Sequence, residues 1–205
     1  MKEILEKARE LVASLEKYEN EHRSQQNNMV PLSGLKPGDV FKTDIGEFVV
    51  LDQLDGQTKV ITKGFYKEDV SFDENSTDYK ESSLRELHEN EILPQFEMVF
   101  GEENIVEHEV DLTTVDMQDK FGKLMCKVRP ITFDEARKYN ELLVNKDLSD
   151  WYWTCTSWST EERGWKYSVS VVAPSGYFHR GSCYGLGGVR PLCILKSSLF
   201  VSGEK

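Results

Sequence analysis

Between Gly176 and Leu195 the chain reads GYFHRGSCYGLGGVRPLCIL, which gathers one histidine, two arginines, two cysteines and three aromatic rings. Three chemistries are open to such a stretch. A general base at His179 needs an oriented partner and an acidic or nucleophilic neighbour, and the sequence does not bring Cys183 beside it, so no catalytic residue is assigned. A phosphate cradle at Gly185, Gly187 and Gly188 lacks the strand–glycine–helix order that such loops require, so these glycines are read as answering backbone needs. Recognition is the third. Tyr177, Phe178, His179, Arg180 and Tyr184 are the residue types that dominate binding hot spots, and Ser182 and the interleaved glycines let a loop shape itself to a partner.

Metal chemistry finds little footing. No Asp, Asn or Glu stands between Ala173 and Leu195, which removes the oxygen ligands that calcium would need there. Cys126, Cys155, Cys183 and Cys193 show no CxxC spacing and no paired histidines, and they read as reduced, partly buried thiols. No metal and no cofactor are therefore expected. His22, His88 and His108 lie scattered in polar segments and are assigned no role.

Each of these side chains needs an element to hold it. Tyr167, Val169 and Val171 alternate with Ser168 and Ser170, and Ala173 to Gly176 supplies a turn, so strand, turn and displayed loop are expected to follow one another. In DWYWTCTSW, Trp151, Trp153, Cys155 and Ser157 fall on one face of a strand. Trp151 and Trp153 are read as sheet packing, whereas Trp158 and Trp165 flank the polar run STEERG and are surface candidates. VRPLCIL is apolar on both faces beyond Arg190, as a central strand should be, with Pro191 at its first positions and Arg190 pinned by a buried carbonyl or carboxylate. Gly176 and Gly188 are structural in the same sense.

Upstream, Pro37-Gly38, a strand opening at Val40, a second strand from Ile45 to Leu51 and the Asp55-Gly56 hairpin signal describe an antiparallel meander. Ser82 and Ser83 cap a helix carrying Leu84, Leu87, Ile92 and Leu93 that should end by Pro94. Thr132 and Glu135 form a capping box for a helix with Phe133, Ala136, Tyr139, Leu142 and Leu143 as its apolar face. Residues 1–27 contain an amphipathic helix, spaced Ile4, Ala8, Leu11, Leu15 and Tyr18, that either docks or meets copies of itself. A folded domain from 34 to 203 follows the EHRSQQNN linker.

The 205-residue chain has a formal charge of −11, but from Lys67 to Asp119 seventeen acids stand against three bases. Such a middle repels nucleic acid and anionic membrane, and it could attract a basic protein or imitate a phosphate backbone, with Glu102, Glu103, Glu107 and Glu109 as its markers. A plain solvated face is the alternative. No apolar run is long enough for a membrane helix and no secretory leader opens the chain, so a cytoplasmic protein is expected, or a virion-associated one if it is a phage structural protein.

The order of a glycine-led hairpin, YKESSLRELHENEILPQF, VEHEVDLTT, WYWTCTSWS, VSVVAPSG and GGVRPLCILKSSLFVS resembles an uncharacterised domain family of Gram-positive bacteria and their prophages. That family is marked by a tryptophan pair, a V-x-x-x-G strand and turn, and a terminal G-V-R-P. It is similar in pattern to the C-type-lectin-like fold of formylglycine-generating enzymes. The resemblance spans Leu35 to Ser202 and implies an α+β domain of small twisted antiparallel sheets, two flanking helices and a ligand surface from Tyr177 to Gly187.

Three functions follow as expectations. The first is a non-catalytic recognition protein of phage or prophage type that binds a protein, or less favourably a carbohydrate. The second is an inhibitor of a host defence or nucleic-acid enzyme acting through the acidic middle. The third is an oxidase of the formylglycine-generating kind using Cys155, Cys183 and Cys193. No membrane and no direct nucleic-acid partner are expected, and self-association through the N-terminal helix is left open.

Overall fold

Strict alternation of apolar side chains in FVVL, residues 48 to 51, sends Phe48 and Val50 to one side of a sheet and Val49 and Leu51 to the other, and all four are buried. A strand buried on both faces must lie between two packed layers, and the computed structural model has that arrangement. It describes residues 29–203, together with Lys7 and Val12; the remainder of the expected N-terminal helix and its linker lie outside the described residues.

Fourteen strands are described: β1 (Met29–Pro31), β2 (Val40–Thr43), β3 (Gly46–Leu54), β4 (Gln57–Thr62), β5 (Lys67–Val70), β6 (His108–Asp111), β7 (Lys123–Cys126), β8 (Val128–Pro130), β9 (Tyr152–Ser157), β10 (Ser168–Val172), β11 (Phe178–Ser182), β12 (Gly187–Val189), β13 (Pro191–Lys196) and β14 (Phe200–Gly203). The α-helical segments are α1 (Ser83–Leu87), α2 (Leu93–Phe100), α3 (Phe133–Lys138) and α4 (Asn140–Leu143). The protein is a mixed α+β fold, mostly strand, in three sheets ordered β1-β14-β2-β3-β4-β13-β8, β11-β10-β9-β12-β5 and β6-β7. Among the described residues no helix is long and apolar enough to cross a membrane.

The meander β2-β3-β4 forms as its turns dictate, with Leu54 opposite Gln57 across Asp55-Gly56 and Gly56 at φ +68°. It is not a sheet of its own. β13 and β14, from the far end of the chain, pair on either side of it, and β1 extends the folded unit back to Met29.

Besides the helix capped by Thr132, which breaks at Tyr139 into α3 and α4, two elements depart from expectation. The first helix does not stop at Pro94. Ser82 caps α1 by accepting from the Arg85 N–H, but His88–Ile92 then widens into a π turn whose Leu93 N–H donates to the His88 carbonyl. That wider register accommodates a proline that has no N–H to give, and α2 continues to Phe100. The continuation is driven by burial, since Phe96 and Phe100 pack edge-on against Phe48 at 5.5 and 5.3 Å, worth roughly 1.5–3 kcal/mol per ring. The second departure is GGVRPLCIL. It is two strands rather than one: β12 belongs to the five-stranded sheet, β13 to the seven-stranded sheet, and Arg190 makes the crossing.

Arg190 is pinned as its burial demands. Its Nε donates to the Thr62 carbonyl at 2.9 Å, a terminal nitrogen donates to the Leu143 carbonyl at 3.2 Å, and the guanidinium sits 4.7 Å from the Tyr152 ring centre. No carboxylate is needed, because carbonyl dipoles and a π face satisfy the cation.

Candidate functional site

Turn chemistry sets where the expected recognition residues lie. The Gly176 N–H donates to the Ala173 carbonyl, Gly176 takes φ +81°, and the Asn140 side chain donates to its carbonyl at 2.8 Å. The chain thus reverses within Pro174-Ser175-Gly176 and re-enters the sheet at once. The expected displayed loop from Tyr177 to Gly187 is therefore mostly strand: β11 pairs antiparallel to β10 in unbroken register, Phe178 opposite Val172 through Ser182 opposite Ser168. The glycines permit close packing instead of loop freedom. A Cβ on Gly187 would overlap the Trp151 ring, and one on Gly188 would overlap Phe65. Gly188→Ala should lower the urea midpoint by an amount equivalent to roughly 1–3 kcal/mol; an unchanged midpoint would show that Phe65 moves aside freely.

Being a strand, β11 divides the expected binding residues between two faces. Tyr177 and His179 lie together at 6.2 Å, on the side where Gly181 packs against Trp151 and Trp153. Trp151 and Trp153 meet edge to face at 4.7 Å, and the Trp153 Nε1 donates to the Val70 carbonyl at 2.7 Å. On the opposite face Phe178 is half-buried against Phe133 at 5.1 Å, and Arg180 stacks 4.4 Å above the Trp165 ring. Trp158 is half-buried one strand further in, its N–H on the Ser168 carbonyl, opposite the exposed Ser182. Beyond the strand Cys183 is buried while Tyr184 is exposed and meets Tyr167 edge-on at 6.0 Å.

The acidic markers lie elsewhere, around α2 and the β6-β7 ribbon. Glu102, Glu103, Glu107 and Glu109 are all exposed. Tertiary structure returns cations that the segment count omits: Lys127 reaches Glu97 at 3.0 Å and Glu102 at 3.3 Å, and Lys123 reaches Glu109 at 2.6 Å.

A third locus has no counterpart in the sequence reading. A cleft of about 310 Å³ is lined by Asp111, Thr113, Asp134 and Arg137, among others, with Arg129 and Glu135 also in its wall. Glu135, the capping-box residue of α3, accepts from Arg129 through both oxygens at 2.7 and 2.8 Å and from Lys59 at 2.6 Å. The Arg129 Nε donates to the His108 Nε2 at 3.1 Å, so that nitrogen carries the lone pair and Nδ1–H turns to the Val106 carbonyl. Burial opposes ionisation of Glu135, but the Arg129 and Lys59 charges outweigh it and hold the carboxyl well below the usual range. Burial, reinforced by Arg129, pushes His108 down to about 4. A carboxylate this stabilised and an imidazole this reluctant to charge make a structural clasp, not an acid–base pair tuned to neutral pH. Only the capping-box spacing of Thr132 and Glu135 signalled any part of it.

The thiols are withdrawn from solvent chemistry. Burial pushes Cys155 up to about 12 and Cys193 higher, and Cys183 is also raised, chiefly by burial, so little thiolate exists at neutral pH. Among the described residues no group of three or more His, Cys, Asp or Glu is placed to hold a metal ion.

No protein-family model, curated protein or solved structure matches this chain.

Proposed function

We propose that this chain is a non-catalytic recognition protein, of phage or prophage type with a C-type-lectin-like domain, that binds a protein through the edge formed by β11 and the turn after it. One observation carries the reading. Tyr177, Tyr184 and Leu186 are 65%, 60% and 57% exposed and, with Tyr167, make four of the twelve large apolar side chains exposed among the described residues. They stand at both ends of β11, Tyr177 before it and Tyr184, against Tyr167, after it with Leu186, and exposed side chains of these types along one sheet edge are the usual mark of an interaction site. Tyr177 is the anchor on one side of the strand and Tyr184 the anchor at its end. The buried, high-pKa thiols give an oxidase no ready nucleophile. An acid-surface inhibitor has less in its support, because Lys123 and Lys127 offset Glu109 and Glu102.

Incorporating a photo-crosslinking benzoylphenylalanine at Tyr184 should trap one discrete protein adduct in host lysate, and Tyr177→Ala should reduce it about tenfold while shifting the melting temperature by no more than a few degrees. The same amino acid at Met98, exposed on α2, should trap none. An adduct at Met98 but not at Tyr184 would move the site to the acidic side of the molecule.

A further inference from the structure

Sheet edges are where a fold must defend itself against unwanted pairing, and three of the four edges of the two large sheets are defended. β1 and β8 are three residues long and end in Pro31 and Pro130. β5 is broken by Asp69 at φ +54°, and its pairing with β12 shifts register. β11 has none of these devices: its five residues include no proline and no lysine, and its ladder with β10 has no bulge.

The outward groups of this edge can be identified. At the two ends of the hairpin ladder the Ala173 N–H donates to the Tyr177 carbonyl at 2.8 Å and the Cys183 N–H to the Tyr167 carbonyl at 2.7 Å. Hydrogen-bonded pairs alternate along an antiparallel ladder, so His179 and Gly181 spend their main-chain groups on β10, while those of Phe178, Arg180 and Ser182 point away from it. Two of the three outward carbonyls are already taken, that of Arg180 by the His179 Nδ1–H at 2.7 Å and that of Ser182 by the Gly185 N–H at 2.7 Å. Wholly unengaged among the described residues are three N–H donors and the Phe178 carbonyl.

The side-chain charge at this edge has the same sign. Among the described arginines, Arg85, Arg129, Arg137 and Arg163 each pair with a carboxylate, and Arg190 is buried on carbonyls. Arg180 is exposed, held over Trp165, and has no carboxylate partner among the described residues. A second copy of the chain fits poorly: the two-fold register that uses all three outward residues sets Arg180 opposite Arg180, and like charges directly opposite destabilise a ladder.

We propose that β11 accepts an extended segment of a partner protein as a sixth strand of its sheet, and that an Asp or Glu of that segment pairs with Arg180. This deepens the recognition reading above and rests on it. Main-chain pairing along Phe178, Arg180 and Ser182 supplies affinity, and the carboxylate selects sequence and register.

The probe is a displayed library of random linear nonapeptides selected on the full-length protein, with the best binder synthesised and measured by fluorescence anisotropy. Selected sequences should alternate β-branched or aromatic residues and share one acidic position. Ser182→Pro, which deletes an outward N–H at an edge position where proline is tolerated, should weaken the peptide about tenfold or more. Arg180→Glu should weaken it similarly, and a peptide with Lys at the acidic position should recover binding to that variant. Circular dichroism confirms that both variants fold. Several results overturn the proposal: no enrichment, enrichment without a shared acid, or a binder indifferent to Ser182→Pro. A binder lost on Tyr177→Ala and Tyr184→Ala yet indifferent to Ser182→Pro would leave the recognition reading standing and remove strand addition alone. Dimers in sedimentation that Ser182→Pro abolishes would make the occupant a second copy, against the proposal.

Discussion

Glu135→Ala is expected to destabilise the protein by about 3–5 kcal/mol, the cost typical of breaking a buried ion pair from one side. The carboxylate holds Arg129 bidentately, holds Lys59, and accepts the Thr132 N–H at 3.0 Å as the return half of the capping box. Removing it leaves the Arg129 guanidinium, with 2% exposure, beside the Lys59 ammonium that shared the same carboxylate. Urea unfolding is the measurement. Replacing Lys59, Arg129 and Glu135 together by methionine should recover a good part of the loss, because no buried charge then stands alone. A loss below about 1 kcal/mol in Glu135→Ala would mean that water entering the adjoining cleft solvates Arg129 well enough without it.

Mild acid should have an effect of comparable size. His88 is buried, its Nδ1–H donates to the Leu84 carbonyl at 2.7 Å, its Nε2 has no partner among the described residues, and Tyr79 and the Arg129 charge stand nearby. His108 faces Arg129 directly, with Glu135 and Lys59 behind it. Burial above all holds both near 4, against an ordinary value of 6.5. Below pH 6.5 the unfolded chain takes up a proton at each histidine while the folded protein does not, so stability present at neutral pH is lost as the pH falls from about 6.5 to 4. Each histidine contributes roughly 3 kcal/mol to that loss. Glu135 adds little in that window, since its stabilisation begins to be lost only near its ordinary value of 4.5 and goes mostly at lower pH. Comparing urea midpoints at pH 7 and pH 4.5 should show the fall, and His108→Gln, which can still accept from Arg129, should roughly halve it. A flat profile in this range would show that both imidazoles charge inside the fold.

Local rules account for what was legible beforehand. Asp55-Gly56, Ser82, the Thr132–Glu135 capping box and the alternation in KYSVSVV each act over a few neighbouring residues, and a hairpin, a helix, a helix and a strand are found where they announce them, the second helix broken at Tyr139. Arg190 belongs with them, since a guanidinium within an apolar run has to find acceptors whatever the fold. The extent of the first helix past Pro94 was not legible, because Phe48, whose burial with Phe96 and Phe100 holds α2 in place, lies more than forty residues earlier in the chain. The burial of His88 and His108 was not legible for the same reason: polar neighbours in sequence say nothing about Arg129 or Tyr79 in space.

For the recognition surface the division runs between composition and placement. The sequence by itself determined that aromatic and basic side chains cluster between Tyr177 and Tyr184, with a turn before them and no metal-ligating oxygens among them. Only the tertiary structure decided that they stand on an edge strand and not on a loop, that Phe178 and Arg180 face away from Tyr177 and His179, and that Arg180, unlike Arg85, Arg129, Arg137 and Arg163, has no carboxylate partner among the described residues. Side-chain types are a property of the chain, whereas which edge of a sheet is left unpaired depends on how β5, β9, β10 and β12, drawn from more than a hundred residues, are stacked beside it.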